Sequence, residues 1–465
     1  MSGVGKILHY LPGLPPVRGG GMIKYALDLI EGEQKSGCDT YILVPGRFSH
    51  LCNGTRIVET KWRKNICYSI INPLPVSEGR RVNNIELLYQ EGNQDVYVDF
   101  LKKINPDVIH IHSMMGLHLS FLKASCEMHI PVVYTTHDYY GICPNAILLK
   151  DMKQCTKTDG SQCSTCMIGN LTEKKIRLEQ SLTYRALKSN GFVNWLEYSQ
   201  KLVPIKIGIR AFLNKRKIQE VKFSESIADD NNSEKQKYCK LQMYYKEMFK
   251  YVTKFHYNST QSKELFEKHL ENIFGEVIPI SNKNITDNRI RRKYGKVLRI
   301  GFIGRGTHKG FGILKEAINN LYSQGMENIE CHVYFNPKEK LPPYFISHKP
   351  FHENEAYKIY NNIDILVLPS IWKETFGMVV LEALSYGVPV IVSENVGARE
   401  ILRENSNMGI IVKPTQEELQ SVLAEIYRSR NILEKMNNAI FEWKIEFDYH
   451  SHFKKMIKFY RGVAK

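Results

Sequence analysis

Lys373-Glu374-Thr375-Phe376-Gly377-Met378-Val379-Val380-Leu381-Glu382-Ala383-Leu384 is the stretch whose reading decides the fold. It lies between two apolar runs, Ile363 to Leu368 and Val388 to Val392, so the local order reads strand, loop, helix, strand. Pro369-Ser370 close the first strand, and Gly387 followed by Pro389 stops the helix. Glu374 and Glu382 stand at the start and the middle of that helix. Their separation is a rise of roughly 12 Å and a little over two turns, which predicts both carboxylates near one face. The helix N-terminus at Phe376-Gly377-Met378 offers unpaired backbone N–H groups, which favour a phosphate. Gly377 lets a ligand approach the backbone closely. One element thus offers a phosphate seat with a carboxylate for hydroxyl groups on either side. A sugar nucleotide meets that description.

Working outward, Val297 to Gly304 reads as a strand that runs into Arg305-Gly306-Thr307-His308-Lys309-Gly310 and then a helix from about Phe311. The Gly-Lys-Ser/Thr of a Walker A loop is missing. Arg305 and Lys309 beside a helix N-terminus still make a candidate diphosphate site, the Arg chelating and the Lys adding a point charge. At the other end of the chain, Lys6 to Leu11 is a strand, Pro12 to Gly21 a loop ending in Gly19-Gly20-Gly21, and Met22 to Glu33 a helix. The loop lacks Gly-x-Gly-x-x-Gly spacing and suits close approach of a substrate to backbone amides; packing glycines in a turn are the alternative. Val108 to His112 and Pro131 to Asp138 are further buried strands. They set His112, Ser113, His137 and Asp138 at carboxyl ends, where ligands gather in open parallel sheets.

Glu-x7-Glu with Phe-Gly inside it, then Gly387, Pro389, Val390, Gly397 and Glu400, resembles the retaining glycosyltransferases of family 4. The resemblance covers nearly the whole chain and is weakest over residues 170 to 250. It implies an α/β fold of the GT-B type, two Rossmann-like domains with parallel sheets facing a central cleft. The implied division is an acceptor-binding domain over residues 1–282, a donor-binding domain over 283–445, and a last segment, 446–465, that crosses back to the first domain. It further implies that Glu374 binds the transferred sugar and Glu382 the ribose. Arg305, Lys309 and the amides of Phe376, Gly377, Met378 and Val379 would hold the diphosphate, with His137 under the sugar and Gly20 and Gly21 near the phosphate. The donor would be a UDP- or GDP-sugar, and no cofactor or Mg²⁺ would be required. An epimerase or hydrolase of the same architecture is the nearest alternative, but the acid/base set it needs on the first domain is not seen.

Cys143, Cys155, Cys163 and Cys166 form an insert with C-x11-C-x7-C-x2-C spacing. Four thiols within a short span are candidates for a structural, tetrahedral Zn²⁺ site. The spacing matches no standard finger, and unligated thiols, a disulfide and an iron–sulfur site stay open.

The length of 465 residues predicts two domains. No run of eighteen apolar residues is present, and no apolar leader precedes the first strand, so a cytoplasmic enzyme is expected. The formal net charge of +16 calls for an acidic surface or partner. Twelve Lys/Arg against four Glu fall between residues 172 and 222, within a basic insert placed at 172–250. Val203 to Lys217 mixes apolar and basic residues as an interfacial segment on an anionic membrane would, with solvated helix faces as the alternative. Residues 224 to 237 read as a mobile loop. Without a zinc-finger, RNA-recognition or helix-turn-helix signature, no nucleic acid is expected, and a basic nucleic-acid-binding protein is the rival from another class. The expected activity is transfer of a sugar to a glycan or lipid-linked acceptor in cell-surface polysaccharide biosynthesis, peripheral to the inner face of the membrane.

Overall fold

The computed structural model describes residues 4–49, 54–77, 79–167, 171–190, 227–304, 306–337, 339–349, 355–444 and 448–464. Two sheets organise them. The first has eight strands in the order β10-β9-β6-β5-β1-β2-β4-β3. They are β1 (Lys6–Tyr10), β2 (Asp39–Pro45), β3 (Arg56–Trp62), β4 (Asn65–Ile71), β5 (Val108–Ile111), β6 (Val132–Thr135), β9 (Lys254–Tyr257) and β10 (Gly275–Val277). All pair in parallel except the β3–β4 hairpin. A small antiparallel ladder, β7 (Leu149–Lys150) with β8 (Lys153–Gln154), stands apart. The second sheet has six parallel strands in the order β13-β12-β11-β14-β15-β16. They are β11 (Leu298–Phe302), β12 (Ile329–Val333), β13 (Phe345–Ser347), β14 (Ile365–Leu368), β15 (Val390–Ser393) and β16 (Gly409–Val412).

The central strands β1, β5, β6, β14 and β15 are almost wholly buried. That is why their sequences are apolar runs rather than alternating ones: helices cover both faces of a parallel sheet. In each sheet the central order reverses where chain crossovers change direction, and ligands bind beyond the carboxyl ends of such strands.

The expected loop at 224 to 237 is corrected from residue 227 onward, where a helix spans Ile227–Phe249, while 224–226 lie outside the described residues. Its first turns, Asp229-Asp230-Asn231-Asn232, are polar and read as a loop in isolation. Further on, Tyr238, Leu241, Tyr245, Met248 and Phe249 recur at helical spacing and are buried in the first core. Gly141 makes room for this helix, since a Cβ there would lie 2.6 Å from the Phe249 ring. The stretch between Val203 and Lys217 lies outside the described residues.

The polar segment between the sheets is pinned rather than loose. Arg292 donates to the carbonyls of Ile363 at 3.0 Å and Tyr360 at 2.6 Å, and Arg289 to those of Ile440 at 2.6 Å and Trp443 at 2.7 Å. The closing helix, Tyr449–Arg461, packs on the opening helix, Gly21–Lys35. Tyr449 donates to the Asp28 carbonyl at 2.6 Å, and the Tyr25 hydroxyl lies 3.0 Å from His452 Nε2. No helix among the described residues is long and apolar enough to cross a membrane.

Candidate active site

The carboxyl ends of the two sheets meet. After β6 the chain reaches His137, whose carbonyl accepts a 2.9 Å hydrogen bond from Thr375 Oγ1 of the loop after β14. After β9, Ser259 caps the helix Thr260–His269 and donates to the Thr375 carbonyl. Gln261 Nε2 donates to the carbonyls of Glu374 at 2.9 Å and Asn395 at 2.8 Å. Glu400 accepts from the amides of Thr260 at 3.1 Å and Gln261 at 3.2 Å, a carboxylate on a helix N-terminus.

One geometric expectation is corrected here. The glutamate helix spans Met378–Ser385, so Glu374 precedes it and the two carboxylates are not on one helical face. Glu374 is held in an extended bridge with Val396, its amide donating to the Asn395 carbonyl at 2.8 Å. Gly377 ends this segment in the left-handed region at φ 95°, where a Cβ would meet Val396 Cγ1 at 2.8 Å. The left-handed residue between strand-like and helical chain is what pushes the helix start past Glu374.

The structure brings Lys309 and Glu374 together as an ion pair. Ser370 Oγ donates to the second Glu374 oxygen at 2.8 Å, and Lys309 also lies over the Trp372 ring. Lys309 comes from a short 3-10 turn, Thr307–Lys309, closed by Gly310 before the helix Phe311–Ser323. Gly310 has φ 83°, and a Cβ there would fall 1.9 Å from the Pro369 carbonyl oxygen. The two loops after β11 and after β14 therefore touch through a glycine. Arg305 lies outside the described residues.

Glu382 sits one turn into its helix. It accepts from the Tyr360 hydroxyl at 2.9 Å and from Asn282 Nδ2 at 3.2 Å, and Lys24 approaches to 4.0 Å. Phe376 is buried, while Met378 and Val379 are half-buried at the free helix N-terminus. Gly20 and Gly21 are exposed at the start of the opening helix, with open space where side chains would stand.

His137 is half-buried, and burial holds its imidazole down to about 3, so it is neutral at ordinary pH. Its Nε2 lies 3.2 Å from His112 Nδ1. Asp138 is pushed up to about 6 by burial, which the hydrogen bond from the Tyr140 amide opposes.

His9, His110 and His112 are buried with ring nitrogens within 4.8 Å of one another. Each is already bonded on both sides. His9 meets Glu33 and His112; His110 meets Tyr460 and Thr135; His112 meets His9 and His137. This is a hydrogen-bonded network rather than a convergent set of metal ligands.

Cys143, Cys155, Cys163 and Cys166 line one cavity, with Asn145 and Gln242. No three of their sulfurs lie within 4.8 Å of one another, the one such ligand group among the described residues being the histidines above. Burial pushes the Cys143 and Cys163 thiols up to about 12.

Sequence reasoning missed Thr375, Tyr360, Asn282, Lys24 and Gln261. All are ordinary residues in the sequence and gain meaning only from distant partners. His112 and His137 stand at the ends of apolar runs, and that shared position was a signal, whereas His9 lies inside the run Ile7 to Leu11 and carried none.

Two parallel sheets with facing carboxyl ends define the GT-B class of glycosyltransferase. Residues 19–154 match the model of "Glycosyltransferase Family 4", and residues 344–443 that of "Glycosyl transferases group 1". The chain is a GT-B glycosyltransferase of the family 4 type. An uncharacterized glycosyltransferase of Methanocaldococcus jannaschii is 46% identical over 57 residues, 12% of this chain and 14% of that relative's length. Sucrose-phosphate synthase from Thermosynechococcus elongatus has a similar structure, with a TM-score of 0.54 at 13% identity over 99% of each chain. So has HepE of Anabaena in complex with UDP and glucose, at 0.54 and 13% over 98% of each chain.

Proposed function

We propose that the chain transfers a sugar from a UDP- or GDP-sugar to a glycan or lipid-linked acceptor, with retention of the anomeric configuration. The observation that carries this is the meeting of His137 with the Glu374–Gly377 loop through Thr375. It joins the backbone of His137, whose imidazole is neutral, to the loop that carries Glu374 and leads into the helix N-terminus. The donor lies mainly on residues 283–445 and the acceptor on 1–282. The HepE structure, with UDP and glucose bound, supports a nucleotide-sugar donor for this architecture.

In this reading Glu382 holds the ribose hydroxyls and Glu374 the hydroxyls of the transferred sugar. Lys309, Arg305 and the amides of Phe376 to Val379 take up the charge that develops on the diphosphate as it leaves. Such groups act because they bind the transition state better than the ground state. Two cations and a helix dipole meet that charge without Mg²⁺. When the diphosphate enters, Lys309 exchanges its Glu374 partner for a phosphate oxygen and frees Glu374 for the sugar.

The test is a panel of UDP- and GDP-sugars scored for turnover in EDTA, with His137→Ala as control. Turnover that His137→Ala leaves untouched overturns the reading. A cytoplasmic protein resting on an anionic leaflet completes the proposal; cosedimentation with phosphatidylserine vesicles that falls with salt supports it, and none at low salt refutes it. A structural Zn²⁺ held by Cys143, Cys155, Cys163 and Cys166 is proposed on their shared cavity. Metal analysis of reduced protein against Cys163→Ser decides it, one equivalent lost in the variant being the expected result.

A further inference from the structure

Glu33, His9, His112 and His137 form one unbranched chain of hydrogen-bonding groups. Glu33 Oε2 lies 2.7 Å from His9 Nε2, His9 Nδ1 lies 3.1 Å from His112 Nε2, and His112 Nδ1 lies 3.2 Å from His137 Nε2. The neighbouring strands β1, β5 and β6 set the three rings side by side at their carboxyl ends. Consecutive rings are close to coplanar, at 16° and 26°, which suits in-line N–H···N bonds. Glu33, on the opening helix, closes the chain from inside. Glu33, His9 and His112 are buried, so water does not compete for the two inner links, and only the His112–His137 link is partly buried.

We propose that Glu33, His9 and His112 are positioning residues that fix the tautomer of His137. The proposal rests on His137 facing the donor sugar. Three links need three protons, and three singly protonated imidazoles supply them. A carboxylate only accepts, so Glu33 takes the His9 Nε2 proton. His9 Nδ1 is then a lone pair and accepts from His112 Nε2–H. His112 Nδ1 is a lone pair in turn and accepts from His137 Nε2–H. The proton of His137 is thereby held inward, and its Nδ1 is left as an acceptor. Among the described residues Nδ1 has no hydrogen-bond partner. Which imidazole nitrogen carries the proton is set by the bond the other makes, here relayed over two rings. An acceptor at Nδ1 receives a hydrogen bond from a sugar hydroxyl and leaves that oxygen's lone pairs free.

A fourth proton makes Nδ1 a donor: on His137 it leaves every link as it stands, and on His112, His9 or Glu33 it reverses the links between that group and His137. The groups facing the chain are the Tyr460 hydroxyl beside Glu33, the rings of Tyr25 and His110, and beyond them His256 and His452. Burial keeps His112 and His137 neutral, in keeping with the three-proton state.

The experiment is ¹⁵N-histidine labelling of the full-length protein at neutral pH, with His137 assigned from the signal that His137→Ala removes. The expected spectrum shows the Nε2–H tautomer alone. In Glu33→Gln the amide can donate or accept, so both tautomers appear. Turnover of the best sugar nucleotide from the panel then falls about 10- to 100-fold in kcat, as for other groups that orient a functional histidine. UDP affinity stays unchanged. An Nδ1–H tautomer in the unsubstituted protein overturns the proposal, as does Glu33→Gln with unaltered tautomer and kcat. Should Glu33→Gln fail to fold, the tautomer of the unsubstituted protein decides alone. Full turnover by His137→Ala refutes instead the role of His137 at the sugar, whatever its tautomer.

Discussion

Thr375 Oγ1 donates a 2.9 Å hydrogen bond to the His137 carbonyl, and through it the two halves of the site share one backbone position. Thr375 is buried, and its own carbonyl accepts from Ser259. The residue that follows Glu374 and precedes the helix N-terminus therefore fixes the backbone position of His137. Thr375→Val keeps the shape and removes the donor. It should lower stability by about 1 kcal/mol and reduce kcat while UDP affinity holds, which denaturation and single-turnover assays read separately.

Glu382 is held by Tyr360 and Asn282 before any ligand arrives. Glu382→Ala should weaken UDP binding about tenfold or more, the loss of charge-assisted bonds to two ribose hydroxyls. Tyr360→Phe should give a smaller loss, because it frees the carboxylate without removing it. Equal UDP affinity in Glu382→Ala by calorimetry refutes the ribose assignment.

Lys309 pairs with Glu374 in a half-enclosed place. Lys309→Met should cost on the order of 10²–10³ in kcat, as for other groups aimed at developing charge. It also leaves Glu374 without its cation. Glu374→Gln in the Lys309→Met background should regain stability in urea and regain no turnover, which separates the structural role of the pair from its chemistry.

Acid should loosen the fold above the ordinary carboxylate range. Burial holds His137 and His452 down to about 3, and His118 and His256 to about 4, against an ordinary 6.5. Their folded values are depressed, so the unfolded chain binds protons that the folded one refuses. The stability tied to these groups is whole above 6.5 and lost as pH falls toward 3 to 4, by about 1.4 kcal/mol per group per pH unit. Asp138, raised to about 6, acts the other way below that value, since the folded state then keeps a proton the unfolded state releases. Four groups outweigh one, and the urea midpoint should fall from pH 7 to pH 5. A flat midpoint would count against the buried histidine network.

Gly310→Ala should destabilise strongly and lower diphosphate-dependent turnover with it. Its Cβ would meet the Pro369 carbonyl at 1.9 Å, and its φ of 83° disfavours any other residue. Gly325→Ala, also at positive φ but with open space around it, is the control for backbone strain alone.

The parallel strands were legible because burial on both faces writes them as apolar runs, as Val388 to Val392 shows. The helix Ile227–Phe249 was not, because its polar first turns resemble a loop and its apolar residues need the first core to give them direction. The helix start within Phe376-Gly377-Met378 was legible, but the placement of Glu374 on that helix failed for a local reason: left-handed Gly377 leaves Glu374 in the extended chain before it. The residues around Glu382 were unreadable because Tyr360, Asn282 and Lys24 reach it from three separate segments.

By itself the sequence determined the α/β architecture and the chemical types gathered at the site, since strand burial, glycine stops and helix ends are local consequences of side-chain size and backbone freedom. Only the tertiary structure decided which of those groups touch. The pairing of Lys309 with Glu374, the bond from Thr375 to His137, and the chain from Glu33 to His137 join residues 65, 238 and 104 positions apart, respectively. Contacts of that kind follow from sheet order and from how the two sheets meet. Such non-local packing is not encoded in the spacing of any one segment.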